Sequence, residues 1–159
     1  MCIKGQYQPD DSLPYCLPCI PGKFTAQKKQ TTCAHCNGGT YQNEGAQENC
    51  KNCEEGRHSS AQLDKFYTSC DACELGKMQS ATQRATCLDC IPGQYQDGSA
   101  GTSCKDCIAG QFEDKHGEAK CQPCTKGKWS SALGLIAASE CANCIVGTYS
   151  LALGSTSID

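Results

Sequence analysis

The chain has few of the residues from which a hydrophobic core is normally built. Leu, Ile, Val and Phe together make up 20 of its 159 residues. Chains in which these four types fall below roughly 20% bury too little apolar surface to offset the entropy of ordering the polypeptide. A hydrophobic interior is therefore excluded as the main source of order, and some other linkage is required.

A long apolar run is also missing. A membrane-spanning helix needs about 18 consecutive apolar residues, whereas the longest apolar stretch, 132–138, is interrupted by Gly134. We therefore expect no membrane span in this segment. Met1 is followed at once by Cys2 rather than by a charged and then apolar export signal. We interpret Met1 as an internal methionine or a misplaced start, so that the segment is truncated at both ends and flanking domains are expected.

The charged residues form no block of one sign. The net charge is -3 and acidic and basic residues are interspersed, so nothing predicts a nucleic-acid track or a patch for anionic membranes. No Ser/His/Asp or Cys/His arrangement, phosphate-binding glycine loop or paired-carboxylate motif stands out. We therefore expect no enzyme, no catalytic residue, no cofactor and no nucleic-acid partner.

Helical periodicity is absent as well. No segment places apolar residues at a 3.6-residue period over helix length, and Gly, Asn, Asp, Ser and Gln are frequent, which favours turns and short strands. The alternation around one aromatic ring in Gly93-Gln94-Tyr95-Gln96 suits a strand of two or three residues, and Asp97-Gly98 suits the turn after it. We expect small hairpins and little or no helix.

Cysteine, in contrast, is abundant. Seventeen of the 159 residues are cysteine, a content typical of disulfide scaffolds exported to an oxidising compartment. A bridge that closes a loop of about 15 residues contributes ~3 kcal/mol in the chain-entropy model. Covalent links can therefore supply the order that apolar burial cannot, and we expect an extracellular or cell-surface location reached through the secretory pathway.

The cysteines recur in C-x-x-C pairs with a fixed period. A glycine lies three residues after the second cysteine of every pair and after the isolated Cys2, and an aromatic ring usually lies two residues further on. The pairs are Cys16/Cys19, Cys33/Cys36, Cys50/Cys53, Cys70/Cys73, Cys87/Cys90, Cys104/Cys107, Cys121/Cys124 and Cys141/Cys144. The glycines are Gly5, Gly22, Gly39, Gly56, Gly76, Gly93, Gly110, Gly127 and Gly147. The ring positions are Tyr7, Phe24, Tyr41, His58, Met78, Tyr95, Phe112, Trp129 and Tyr149, with His58 and Met78 as departures.

Such a period is the signature of a repeat array in which each unit contacts its neighbours. We divide residues 1–159 into one array of about nine units, 2–16, 19–33, 36–50, 53–70, 73–87, 90–104, 107–121, 124–141 and a partial 144–159. The expected fold is a small disulfide-rich repeat array, with short β-hairpins and turns stacked into an elongated rod. The units 53–70 and 124–141 are three residues longer, which makes them candidate functional loops. We expect the glycine to hold a left-handed backbone angle or to let the chain pass close to a disulfide, and the rings to stack on the adjacent disulfide.

Two disulfide schemes fit this spacing, because sequence alone does not determine connectivity. In the first, the second cysteine of each pair bonds the first cysteine of the next, which gives identical units. This scheme pairs Cys2 with Cys16, Cys19 with Cys33, Cys36 with Cys50, Cys53 with Cys70, Cys73 with Cys87, Cys90 with Cys104, Cys107 with Cys121 and Cys124 with Cys141, and leaves Cys144 unpaired. In the second, whole pairs join two by two and leave Cys2 unpaired. We favour the first because identical units should have identical chemistry.

The segments Cys16-Leu17-Pro18-Cys19-Ile20-Pro21-Gly22-Lys23-Phe24 and Cys87-Leu88-Asp89-Cys90-Ile91-Pro92-Gly93-Gln94-Tyr95 share the pattern C-x-x-C-x-x-G-x-[YF]. This pattern resembles the ephrin-receptor-like cysteine-rich repeat and is similar to the first loop of tumour-necrosis-factor-receptor modules. The resemblance implies EGF-like, disulfide-bonded ectodomain segments that serve as spacers, adhesion surfaces or ligand-binding stalks. The two longer units and the absence of interleaved cysteine pairing depart from the tumour-necrosis-factor-receptor pattern.

The sequence is therefore compatible with three candidate functions. The favoured one is a repeat segment of an extracellular or cell-surface protein that acts as a structural spacer or as an adhesion and protein-interaction surface, with an unidentified protein partner. The first alternative is the ligand-binding ectodomain of a signalling receptor. The second is a four-cysteine zinc array, because Cys33-x2-Cys36-x13-Cys50-x2-Cys53 approaches zinc-ligand spacing. We expect no metal, since zinc would use the pairs two at a time and leave Cys2 over.

The most apolar of the longer units is the candidate partner-binding site. Trp129, Leu133, Leu135 and Ile136 all lie in the unit 124–141. Exposed aromatic and aliphatic side chains in one place form the kind of anchor cluster on which protein interfaces depend. We therefore expect these four side chains to be exposed together.

Overall fold

The computed structural model describes residues 1–10, 12–60 and 66–157. In these residues the chain forms two-residue strands that pair as eight antiparallel hairpins, together with one 3-10 helix, Ala138–Glu140. The hairpins are β1 (Gln6–Tyr7) with β2 (Leu17–Pro18), β3 (Lys23–Phe24) with β4 (Ala34–His35), β5 (Thr40–Tyr41) with β6 (Lys51–Asn52), β7 (Arg57–His58) with β8 (Asp71–Ala72), β9 (Lys77–Met78) with β10 (Leu88–Asp89), β11 (Gln94–Tyr95) with β12 (Lys105–Asp106), β13 (Gln111–Phe112) with β14 (Gln122–Pro123), and β15 (Lys128–Trp129) with β16 (Ala142–Asn143). The predicted array of short hairpins, nearly free of helix, is confirmed.

Each hairpin is built from the two parts of the sequence motif. The second strand is the x-x of a C-x-x-C pair, and the first strand comes directly after the glycine of the preceding pair. In the hairpin of β11 and β12, for example, Gln94 lies opposite Asp106 and Tyr95 lies opposite Lys105. The residue at the ring position therefore always ends the first strand. We number the repeats 1 to 9 by their first residues, Cys2, Cys19, Cys36, Cys53, Cys73, Cys90, Cys107, Cys124 and Cys144, and position +n lies n residues after that cysteine.

A tight turn precedes each first strand and explains the glycine. In every repeat the backbone N–H at +4 donates to the carbonyl at +1, as Gln94 N does to Ile91 O at 3.0 Å. The glycine at +3 then occupies the third position of the turn with φ between 72° and 90°, where a type II turn requires a positive φ and Pro suits the position before it, as Pro92 does. The predicted left-handed angle is confirmed at all nine glycines.

The disulfides obey one rule along the chain. The second cysteine of each pair is bonded to the first cysteine of the next, with sequence separations of 14 in the short repeats and 17 in the two long ones. The bonds are Cys2–Cys16, Cys19–Cys33, Cys36–Cys50, Cys53–Cys70, Cys90–Cys104, Cys107–Cys121 and Cys124–Cys141. Cys73 and Cys87 are disulfide-bonded too, which completes a series of eight. Cys144 is free and half-buried.

Sulfur takes the place of an aliphatic core. Among the described residues, eleven of the fourteen buried hydrophobic residues are cysteines, and the others are Tyr67, Phe112 and Leu135. Phe112 and Leu135 form one cluster with Cys124 and Cys141. The low aliphatic content therefore corresponds to an interior whose buried hydrophobic residues are mostly cysteines.

The chain divides into two compact units, each of which shows the same packing between repeats. The first comprises Met1–Ala72 and Ala81–Cys87, and the second comprises Cys73–Ser80 and Leu88–Asp159. In the first unit, a Cβ added to Gly5 would lie closer than 3.0 Å to the Ala46 backbone. In the second, a Cβ added to Gly110 would meet the Gly154 backbone in the same way. The +3 glycines of repeats 1, 3, 5, 6 and 7 therefore pack against the +10 backbone two repeats further along, rather than against a disulfide.

Candidate protein-interaction surface

The structure separates the four residues predicted to bind a partner. Leu133 and Ile136 are exposed, at 67% and 52%, and Trp129 is half-buried at the end of β15, where it pairs with Ala142. Leu135 is 7% exposed and packs on Phe112, so the expectation that it is exposed is wrong. The reason is that the Leu135 carbonyl accepts a hydrogen bond from Glu113 N at 3.0 Å, which draws this residue into the contact between repeats.

A second set of exposed apolar residues was not singled out from the sequence. Isoleucine occupies position +1 in five repeats, and all five side chains are more than half exposed. They are Ile3, Ile20, Ile91, Ile108 and Ile145. The sequence contains a signal for this set, since each isoleucine comes directly after the second cysteine of a pair or after its counterpart Cys2. Exposed aliphatic side chains that recur at one phase of a repeat are candidates for partner contact.

Position +6 holds a buried polar side chain in eight of the nine repeats. These residues are Thr25, Gln42, Ser59, Gln79, Gln96, Glu113, Ser130 and Ser150. Buried polar groups need hydrogen-bond partners to offset desolvation. Gln42 shows how they are satisfied, because its Oε1 accepts from Glu44 N at 3.1 Å and its Nε2 donates to Asn49 O at 2.7 Å. The side chain thereby holds the turn that leads back to the next cysteine.

Glu113 occupies the same position with a carboxylate. It is 1% exposed, and its Oε1 accepts from Lys115 N at 3.1 Å, as a glutamine at +6 would. A carboxyl group has no N–H, so it cannot reproduce the amide N–H bond that Gln42 makes to Asn49 O. Gln122 Nε2 approaches Oε1 at 3.5 Å, which is a weak contact.

Exposed ion pairs brace several hairpin loops. Lys105 Nζ lies 2.6 Å from Asp97 Oδ1 and 5.8 Å from the centre of the Tyr95 ring. The hydrogen bond from Lys105 lowers the pKa of Asp97 below its ordinary 3.8, and the bond to Asp97 raises the pKa of Lys105 above its ordinary 10.5. Lys51 makes the corresponding contacts in repeat 3, with Asn43 Oδ1 at 2.8 Å and Glu44 Oε1 at 3.1 Å.

The three histidines do not gather into one site. His35 stacks on Phe66 with ring centres 5.2 Å apart, and Lys23 Nζ lies 5.3 Å from the same ring. His58 Nδ1 lies 3.4 Å from the sulfur of Cys87, which is disulfide-bonded. His116 is exposed. A sulfur held in a disulfide is not a thiolate, and the thiolate is the form of cysteine that binds zinc.

No helix in the described residues is both long enough and apolar enough to span a bilayer. Comparison with curated proteins found no match. Residues 22–63 match the family described as tyrosine-protein kinase ephrin type A/B receptor-like. The matched residues contain the Cys36–Cys50 bridge and hairpins of the kind that recur elsewhere in the chain. That family is a receptor-like repeat rather than an enzyme family. The match shows an ephrin-receptor-like cysteine-rich repeat within residues 22–63, and disulfides of the same spacing recur in tandem along the described part of the chain.

Proposed function

We propose that the chain is part of an extracellular or cell-surface protein, in which the disulfide-bonded repeats act as a structural spacer that also presents a protein-interaction surface. The single observation that carries this proposal is the series of eight consecutive bridges. Disulfides persist in secreted and cell-surface proteins, whereas cytosolic reductants keep thiols reduced. The receptor-like family match at residues 22–63 supports the same location.

The spacer role is inferred from the short sequence range of the disulfides that order the chain. The bridges are local, because the bonded cysteines lie 14 positions apart in the short repeats and 17 apart in the two long ones. Each repeat is thus fixed by a local crosslink and by contacts with near neighbours, so that the stability of the array is roughly a sum of local terms. An array of this kind is suited to act as a spacer. Stability of this kind does not depend on one central core.

The interaction role is supported by the exposed aliphatic residues. Leu133 and Ile136 lie on the longer repeat 8, and the isoleucines at +1 add exposed apolar area on other repeats. Trp129 is half-buried beside them in sequence and pairs within its hairpin. We propose Leu133 and Ile136 as the partner-contacting residues, with Trp129 supporting the loop.

The location is tested by expressing the chain with and without an export signal. We expect the exported chain to be lighter than the reduced one by two hydrogens for each of eight bridges, and the cytosolic chain to remain reduced and unfolded. An exported chain with free thiols and a bound transition metal would refute the proposal in favour of the zinc array. Peptide mapping of the bridges gives the second readout.

The surface is tested by coating beads with the chain and measuring adhesion of cells. We expect Leu133→Glu combined with Ile136→Glu to reduce adhesion, while Thr125→Glu combined with Ser131→Glu, two exposed polar positions in the same repeat, leaves it unchanged. Intact bridges are checked in both variants. Equal adhesion of both variants and the unmodified chain would remove these residues from the proposed surface.

The description of the matched family favours a second candidate, the ligand-binding ectodomain of a signalling receptor. The two candidates differ in what the soluble chain does. A ligand-binding ectodomain binds one secreted or cell-surface protein saturably and competes with its signalling. A spacer with an adhesive surface supports adhesion on coated beads without such competition.

A further inference from the structure

Within the second compact unit, the same two backbone hydrogen bonds recur between successive repeats. The carbonyl of the second cysteine accepts from the N–H at +10 of the next repeat, as Cys107 O does from Gly134 N at 2.7 Å and Cys124 O does from Gly154 N at 2.9 Å. The N–H at +6 donates to the carbonyl at +11 of the next repeat, as Ser130 N does to Ser155 O at 3.1 Å. These bonds define the register of one repeat on another.

Repeat 9 presents both groups of this register without a partner among the described residues. The Cys144 carbonyl accepts no backbone hydrogen bond there, and Ser150 N donates none. The +3 glycines of the last two repeats are also uncovered. The +3 glycines are buried in repeats 1 to 7, whereas Gly127 and Gly147 are exposed, and an added Cβ at either would have no described atom within 4 Å.

The same repeat is rich in exposed apolar side chains. Ile145, Val146, Leu151 and Leu153 are all more than half exposed. Tyr149 is 60% exposed, although the side chains at +5 in the other repeats are half-buried or buried. Single exposed apolar residues are normal on a protein surface, but a group of them within 145–153 indicates an interaction site. We call these five residues, with Cys144, the repeat 9 face.

We infer that the repeat 9 face receives one further repeat of the same cysteine-rich kind. The interface continues the register already made in repeats 5 to 9. The docked repeat donates an N–H at its +10 position to the Cys144 carbonyl and offers a carbonyl at its +11 position to Ser150 N. Its +10 backbone covers Gly127, because the +3 glycine packs against the repeat two places further along.

The same docked repeat also forms a disulfide with the thiol of Cys144. In the preceding repeats the second cysteine is bonded to the first cysteine of the pair after it. The docked repeat supplies that cysteine. Two thiols then become one disulfide, and the two electrons and two protons pass to a disulfide-carrying oxidoreductase, which becomes a dithiol. A second copy of this chain offers no such cysteine, because Cys144 is its free one.

The inference is tested by appending one residue and then a copy of residues 141–157 after Asp159. The first appended cysteine then lies 17 residues after Cys144, the separation of the Cys124–Cys141 bridge. We expect alkylation under native conditions to label Cys144 in the original chain and the second appended cysteine in the extended one. Peptide mapping should recover Cys144 bonded to the first appended cysteine.

Two further readouts do not depend on the thiol. We expect hydrogen exchange at Ser150 N to slow about tenfold or more in the extended chain, as expected for a newly protected amide. We also expect Gly127→Ala, which meets open space in the original chain, to become strongly destabilising. Val146→Asp combined with Leu151→Asp serves as the control that blocks docking, because both side chains are exposed.

Three results would overturn the inference. The first is continued alkylation of Cys144 in the extended chain. The second is accumulation of dimers bonded through Cys144 of two copies, which would make a second copy the occupant. The third is unchanged exchange at Ser150 together with an unchanged effect of Gly127→Ala.

Discussion

A matched pair of glycine substitutions isolates the close approach between repeats from the backbone conformation that all the glycines share. Gly110 and Gly127 both occupy position +3, with φ of 78° and 77°. An added Cβ at Gly110 lies closer than 3.0 Å to the Gly154 backbone, whereas at Gly127 it meets nothing within 4 Å. Gly110→Ala and Gly127→Ala therefore differ in one contact.

The magnitudes can be worked out from that difference. Placing an alanine in the left-handed region costs roughly 1–2 kcal/mol, and the loss of unfolded-state entropy returns about 0.4–1 kcal/mol; both terms are common to the two variants. At Gly110 the contacted backbone must also move, which costs about 1–3 kcal/mol as overpacking. The movement disturbs the bond from Gly154 N to Cys124 O at 2.9 Å, which is worth roughly 0.5–1.5 kcal/mol. We expect Gly110→Ala to be more destabilising by about 2–4 kcal/mol.

The assay is guanidinium unfolding with the disulfides intact, monitored by the fluorescence of Trp129, the one tryptophan of the chain. Because both variants alter the same type of turn, their denatured states are closely matched. Equal losses of stability in the two variants would refute the account of why glycine is needed at Gly110. A larger loss at Gly127 would refute the packing scheme itself.

The remaining predictions concern one buried polar residue, one ion pair and one bridge. Glu113→Gln should raise the free energy of unfolding by about 1 kcal/mol, since glutamine restores a donor to a buried site; a loss of stability in thermal unfolding would contradict this. Lys105→Met should lower stability slightly near neutral pH. That difference should vanish as pH falls through the lowered pKa of Asp97, below 3.8, and as pH rises through the raised pKa of Lys105, above 10.5, and a pH-independent difference in denaturant titrations would exclude the pair as its cause. Removing the Cys36–Cys50 bridge by two serines should cost about 2–5 kcal/mol, and an unchanged unfolding midpoint would show that this bridge does not stabilise the fold.

The features that depend on local spacing could be predicted from the sequence. The hairpins, the rarity of helix and the left-handed angle at +3 all depend on residues within one turn or one disulfide loop. Cys2, with Gly5 and Tyr7 in phase, was enough to identify the first repeat. Within a repeat, nearly every structural requirement is visible as a residue type at a constant position.

The features that depend on contacts between repeats could not be predicted in this way. Leu135 was predicted to be an exposed anchor because its loop is apolar, but its carbonyl is bonded to Glu113 N of the preceding repeat and its side chain packs on Phe112. Position +6 has the residue types of an ordinary polar turn, and its burial requires a neighbouring repeat. The second left-handed position, +10, is filled by Lys29, Ala46, Gln83 and Ala100 as well as by glycine, so residue type gave no signal.

The tolerance of alanine at +10 and the use of glycine alone at +3 have one physical explanation. Both positions hold a positive φ, so conformation by itself does not distinguish them. What differs is the direction in which a Cβ points. At +3 in repeats 1, 3, 5, 6 and 7 it points into the backbone of another repeat, whereas Ala46 and Ala100 already carry a Cβ at +10. A left-handed angle costs an alanine roughly 1–2 kcal/mol, and the stabilisation from the disulfides offsets that cost. A backbone clash repeated in successive repeats is too unfavourable to be offset in this way. The periodic glycine therefore reflects how closely the backbones of repeats two places apart approach one another.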